Sequence, residues 1–273
     1  MSSPTKSPIR RIFEKLAIGI AFVVAFFLAR EIKTSLLTSA SIRRDPAIQV
    51  VSEIQKSYSS FINTANDAQG IPQRIEAMDT TPKAKGDLGE IERFLKTFLN
   101  RMASQRNDLL LELEAIGWDF ILDPDRIKKD RTLTESKMLI QRANAIVRKY
   151  KAQTYTLLDN TQKEISILNI SENYRRGILN GFKEGMANQR SQIDEIWDLE
   201  IKAISEIENI IALLAVKQGA WEVQNGELLF ANQSDVDNFN SYLTAIQEHL
   251  ARQQAIQKQS IATMNKNLNK FKN

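Results

Sequence analysis

The stretch DLGEIERFLKTFLNRMASQRNDLLLELEAI, residues 87–116, sets the fold class. Its apolar positions are Leu88, Ile91, Leu95, Phe98, Met102, Leu109 and Ile116. The steps alternate between three and four residues, with Gln105 and Glu112 in two of the slots, so the stripe is heptad-like over about four repeats. Such spacing lines one face of a helix and no face of a strand. Asp87 and Glu90, three apart at its start, form a capping-box pattern.

The same pattern recurs down the chain. Asp45-Pro46 puts an N-cap acid before a proline, which opens a helix running to about Asp67. Residues 68–86 hold Gly70, Pro72, Pro82 and Gly86 and read as a loop. Asp123-Pro124 starts a short helix or turn, and Thr132 with Glu135 forms a second capping box. The helix that follows carries Leu139, Ala143, Ile146, Tyr150 and Leu157 on one face. Ser171 opens a long segment to about Gln218, in which Ile193, Trp197, Ile204, Ile207, Ile211 and Leu214 keep heptad spacing around Glu200. A last helix from near Ser234 presents Val236, Phe239, Leu243, Ile246 and Leu250, then Ile261, Met264, Leu268 and Phe271. At ~1.5 Å per residue these helices reach on the order of 45–70 Å. With only 10 Gly and 6 Pro, the chain has too few turn residues for an all-β fold.

One segment breaks the helical period. In Trp221 to Phe230, Asn225-Gly226 is a two-residue turn whose residues take positive φ, so a hairpin over 221–230 is expected. It places Trp221 opposite Phe230 and Val223 opposite Leu228 on one apolar side. Glu222, Gln224 and Glu227 fall on the other side, with Leu229 the exception. A lone hairpin is marginal, so its apolar side should cap the end of the bundle. A partner-binding tip is the other use of these four residues. Gly177, Gly181 and Gly185 repeat every four residues inside a helical segment; they mark a close helix crossing or a bend.

Residues 1–45 differ in composition from the rest. They carry eight Lys/Arg and three acids, and the chain's 37 bases and 33 acids therefore leave 29 and 30 for residues 46–273. The body is near neutral, which argues against a nucleic-acid partner. Between Lys15 and Arg30 lie fourteen uncharged residues, Leu16 to Ala29. A full span takes about 20 apolar residues. Ile12, Phe13 and Ile32 extend the run, and the flanking bases can snorkel to the headgroups. An uncleaved membrane anchor fits best. A cleaved signal lacks small residues at the cleavage positions, and a buried soluble helix would not need four bases ahead of it. Four bases precede the segment and four follow it; the basic lead favours the N-terminus inside and the body outside the cytoplasm. Ala17, Ala21, Ala25 and Ala29 form a small-residue stripe suited to pairing of two membrane helices, which would give self-association.

The expected architecture is thus all-α: an elongated bundle of long antiparallel helices over residues 46–273 with one small β-hairpin, preceded by an N-terminal membrane segment within residues 1–45. Chemistry-bearing motifs are scarce. The chain has no Cys, and its one His, His249, has Ile246 three residues before it, so no Glu-x-x-His motif forms. No phosphate-cradling glycine loop occurs. No cofactor, metal or catalytic residue is expected. Polar residues inside apolar stripes, Gln105, Glu112, Glu200 and Gln253, are the candidates to line a ligand pocket if the bundle is instead sensory.

Residues 217–254, KQGAWEVQNGELLFANQSDVDNFNSYLTAIQEHLARQQ, contain a Gln218-Gly219 helix end, the Asn225-Gly226 hairpin and a Ser234-led helix with Phe239 and Tyr242. This arrangement resembles the C-terminal part of a family of uncharacterised bacterial envelope lipoproteins. The resemblance implies an envelope location and a helical fold, and because the family's function is unknown it does not bear on activity. The family's lipid-attachment cysteine has no counterpart here, so the anchor would replace the lipid.

Overall fold

The computed structural model describes residues 74–269. The expected anchor over Leu16–Ala29 with its alanine stripe, the helix expected over 46–67 and the first part of the expected 68–86 loop lie outside them. Among the described residues the chain is mostly helical with one two-stranded antiparallel hairpin. An extended stretch, residues 74–85, leads into α1 (Gly86–Ala115). A 3-10 turn at Trp118–Phe120 and the short α2 (Pro124–Lys129) follow. Then come α3 (Thr134–Ser166), α4 (Glu172–Val216), β1 (Trp221–Gln224), β2 (Glu227–Phe230) and α5 (Gln233–Asn269).

The four long helices pack in chain order, α1 on α3, α3 on α4 and α4 on α5. Polar pairs fix the directions. Arg101 meets Glu164, and Glu112 meets Lys149, so α1 and α3 are antiparallel. Lys151 pairs with Asp198 across α3 and α4, and Arg252 with Glu195 across α4 and α5. Residues 167–171 alone join α3 to α4, a connection short enough to make them antiparallel neighbours, while the 3-10 turn with α2 and the hairpin fill the other two connections.

Burial follows the apolar stripes. In α1, Ile91, Leu95, Phe98, Met102 and Leu109 are buried, with Leu88 and Ile116 packed at the margins. The α4 stripe is wider than its heptad positions. Ile196, Leu199, Ala203 and Ile210 are buried along with Ile193, Trp197, Ile204, Ile207, Ile211 and Leu214. Two neighbours cause this, because α4 meets α3 on one side of its face and α5 on the other. In α3 the buried line also takes in Ile140, Val147, Leu158 and Ile165, beside the expected Leu139, Ala143 and Tyr150.

The helix starts lie where the sequence puts them, yet the two capping boxes are absent. At α1 neither Asp87 nor Glu90 caps. The Asp87 carboxylate accepts from the Ser171 N–H at 3.0 Å, and Glu90 pairs with Arg93. At α3, Thr132 bonds Thr134 instead of the helix N–H groups. Asp130 takes that role: its Oδ2 accepts from the Ser136 N–H and hydroxyl, and its Oδ1 from the Glu135 N–H. A buried carboxylate with several donors outcompetes an exposed hydroxyl for the orphan amides. The short helix expected at Asp123-Pro124 does form, and the Asp123 side chain caps it by accepting from the Arg126 N–H.

Candidate functional site

Two places in the described residues use extended backbone against helices, and both are candidates for recognition. The first is the hairpin. Its register pairs Trp221 with Phe230 and Val223 with Leu228, as the Asn225-Gly226 turn requires. Both turn residues have positive φ, 53° and 76°. Trp221, Leu228 and Phe230 are half-buried against the core, while Glu222, Gln224 and Glu227 face outward. The Trp221 indole N–H donates to the Leu214 carbonyl at 2.8 Å, closing the end of α4. Phe230 stacks obliquely on Phe239, with centroids 5.4 Å apart. The hairpin touches α2 through β1 and α5 through β2. Lys217 bonds the buried Asp235, which also receives an N–H from the Asn232 side chain. Four apolar side chains stay exposed on the elements at this end: Phe120, Met138, Val216 and Leu229, with Val216 79% exposed.

The second place is the extended stretch 74–84, which lies antiparallel along α1. The Asn107 carboxamide donates to the Ile75 carbonyl at 2.8 Å and accepts the Ile75 N–H at 3.0 Å. One heptad earlier, Asn100 does the same for Met78, at 2.8 and 2.9 Å. Nearer the helix start, Glu92 Oε2 accepts the N–H groups of Lys83 and Ala84, and the Lys96 ammonium donates to the Thr81 carbonyl. Glu92 and Lys96 are themselves a buried ion pair at 2.8 Å. Burial pushes the Glu92 carboxyl upward, and the hydrogen bonds from Lys96, Ala84 and Lys83 outweigh it, leaving its pKa below the usual value. Arg74 closes the far end on Glu114.

The other singled-out residues fall as follows. Gly181 and Gly185 are buried on α4 and Gly177 is half-buried. The four stripe-breaking polar residues separate into interhelix bonds. Gln105 donates to the Tyr150 carbonyl, and Glu112 accepts the Tyr150 hydroxyl. Gln253 donates to Glu200 and to the Ile196 carbonyl. They form one cluster between α1 and α3 and another between α4 and α5, and do not converge. Burial and the bond to Glu112 raise the Tyr150 pKa; Tyr155, bonded to Asp194, is raised likewise. Burial brings the Arg106 guanidinium down to about 10. His249 is half-buried on α5. Among the described residues no three His, Asp or Glu side chains are grouped to hold a metal ion, and no helix is long and apolar enough to cross a membrane.

No family model, curated protein or solved structure matches this chain.

Sequence reading missed the clamp on residues 74–84. Its only signal was two asparagines seven apart on a helix, Asn100 and Asn107, a spacing that reads equally well as a solvated face.

Proposed function

We infer that this chain is a membrane-anchored helical module of a bacterial envelope that works by binding another protein and has no catalytic activity. The observation that carries this reading is the segment Leu16–Ala29, uncharged between Lys15 and Arg30 and ahead of a charge-neutral body. The helical body supports it. Its stripe-breaking polar groups are taken up in bonds between neighbouring helices, which disfavours a ligand-sensing bundle built around Gln105, Glu112, Glu200 and Gln253. The exposed Phe120, Met138, Val216 and Leu229 supply apolar area for a protein contact near the hairpin. The anchor's stripe Ala17, Ala21, Ala25 and Ala29 would let two copies pair in the membrane.

Fractionation tests the anchor. The full chain should require detergent for extraction. Recovery of the intact chain in the soluble fraction would overturn the reading. A phosphatase fused after Asn273 should be active if the body lies outside the cytoplasm.

A further inference from the structure

We propose that residues 74–84 are a releasable strap: a segment that α1 holds mainly through its backbone, and that leaves this helix face to an extended peptide competing for the same groups. The match of repeats carries the inference. Asn100 and Asn107 are seven residues apart, ~10.5 Å along a helix at ~1.5 Å per residue. Met78 and Ile75 are three apart, ~10 Å along an extended chain at ~3.3 Å per residue. Each carboxamide presents one donor and one acceptor, and each meets both backbone groups of a single strap residue. Glu92 and Lys96 continue the same row onto Lys83, Ala84 and Thr81. This is the logic by which a sheet edge takes up a strand, performed here by side chains of a helix.

The strap has the features of a part that can leave. Glu76, Ala77, Asp79, Thr81 and Lys83 are exposed; Ile75 is its one fully buried side chain, with Met78 and Ala84 partly buried against the core. It joins the bundle through Lys85 and Gly86, whose positive φ of 62° turns the chain into α1 and would be the pivot. Docked, the strap returns residue 74 to the level of Glu114. Undocked, its eleven residues reach up to ~36 Å from the pivot. Release would therefore move the point at which the preceding chain leaves the bundle, whether or not that chain is a membrane anchor.

The chain has no cysteine, so spin labels can be placed at Ala77→Cys on the strap and Glu208→Cys on α4, both exposed sites. The full chain in detergent should give one narrow distance distribution. Asn100→Ala with Asn107→Ala removes four hydrogen bonds, each worth roughly two- to tenfold in an equilibrium, and should convert most of it to a broad distribution. A synthetic peptide of residues 74–84 in large excess should broaden the unmutated, doubly labelled chain in the same way, with the helical circular dichroism unchanged. A distribution that stays narrow in the double asparagine variant, or that the peptide leaves untouched, would overturn the strap.

Discussion

The hairpin and the strap are both short pieces of extended chain laid on helices, but they satisfy their backbones in opposite ways. In the hairpin β1 bonds β2, and the free faces divide into an apolar side toward the core and a charged side toward solvent. In the strap no second strand is present. The helix supplies the missing partner through Asn100, Asn107, Glu92 and Lys96. The comparison separates two sources of order. The hairpin is held by side-chain burial at a turn-defined register. The strap is held chiefly by polar side chains that bond its main chain, with Ile75 its one fully buried side chain.

Substitutions can break each half of this contrast. The largest effect is expected for Trp221→Ala, which removes a half-buried ring and leaves the Leu214 carbonyl without its donor. A fully buried aromatic costs about 3–5 kcal/mol. Half burial brings the expectation to about 2–3 kcal/mol, read as a clear fall in the melting temperature of the helical bundle. A loss under about 0.5 kcal/mol would mean that the hairpin is a tip and not a cap. Next comes the Asn100→Ala and Asn107→Ala pair. Net hydrogen-bond contributions of about 0.5–1.5 kcal/mol each set an upper range. Undocking limits the global loss to about 2 kcal/mol or less, because the bundle stays intact once the strap has left. Amide hydrogen exchange should show lost protection at Ile75 and Met78 and unchanged protection along α4. Equal loss along both would tie the strap to the core.

Gly226→Val should destabilise by about 1–2 kcal/mol. No atom lies within 4 Å of an added Cβ, so the whole cost is the left-handed backbone that a β-branched residue resists. The strap also has a pH dependence. The Glu92 pKa is depressed below its usual 4.5, so its stabilisation is present above that value and is lost as pH falls through the depressed one. Glu92→Gln should flatten the acid side of the exchange profile at Lys83 and Ala84. An unchanged profile would remove Glu92 from the clamp. The smallest effect is expected at Leu229→Ser, on an exposed residue of the outer face, within about 0.5 kcal/mol by thermal unfolding. A weakened partner interaction in that variant would support a contact at this end.

The two regions differ in how far local sequence reveals them. Asn225-Gly226 and the period-two alternation around it specify turn, register and buried side within ten residues, and the structure has that pairing. The apolar stripes of α1 and α4 were equally plain, because burial of one face demands the period that the sequence carries. The caps were misread because the competitor for each orphan amide sat elsewhere. Asp130, not Thr132, reaches the start of α3, and Asp87 closes on Ser171, 84 residues away.

The sequence by itself determined the helical period and the hairpin register. Each rests on interactions within a few residues or on one face of one element. Only the tertiary structure decided that α4 is a shared helix with a widened buried face, that Glu112 and Glu200 are bonded to helices and do not line one pocket, and that residues 74–84 lie along α1. A hydrogen bond between Asn107 and Ile75 spans 32 residues, and donors and acceptors occur in every stretch of the chain. Periodicity names the face that must be covered, while the partner that covers it is chosen by which groups the finished packing brings within about 3 Å.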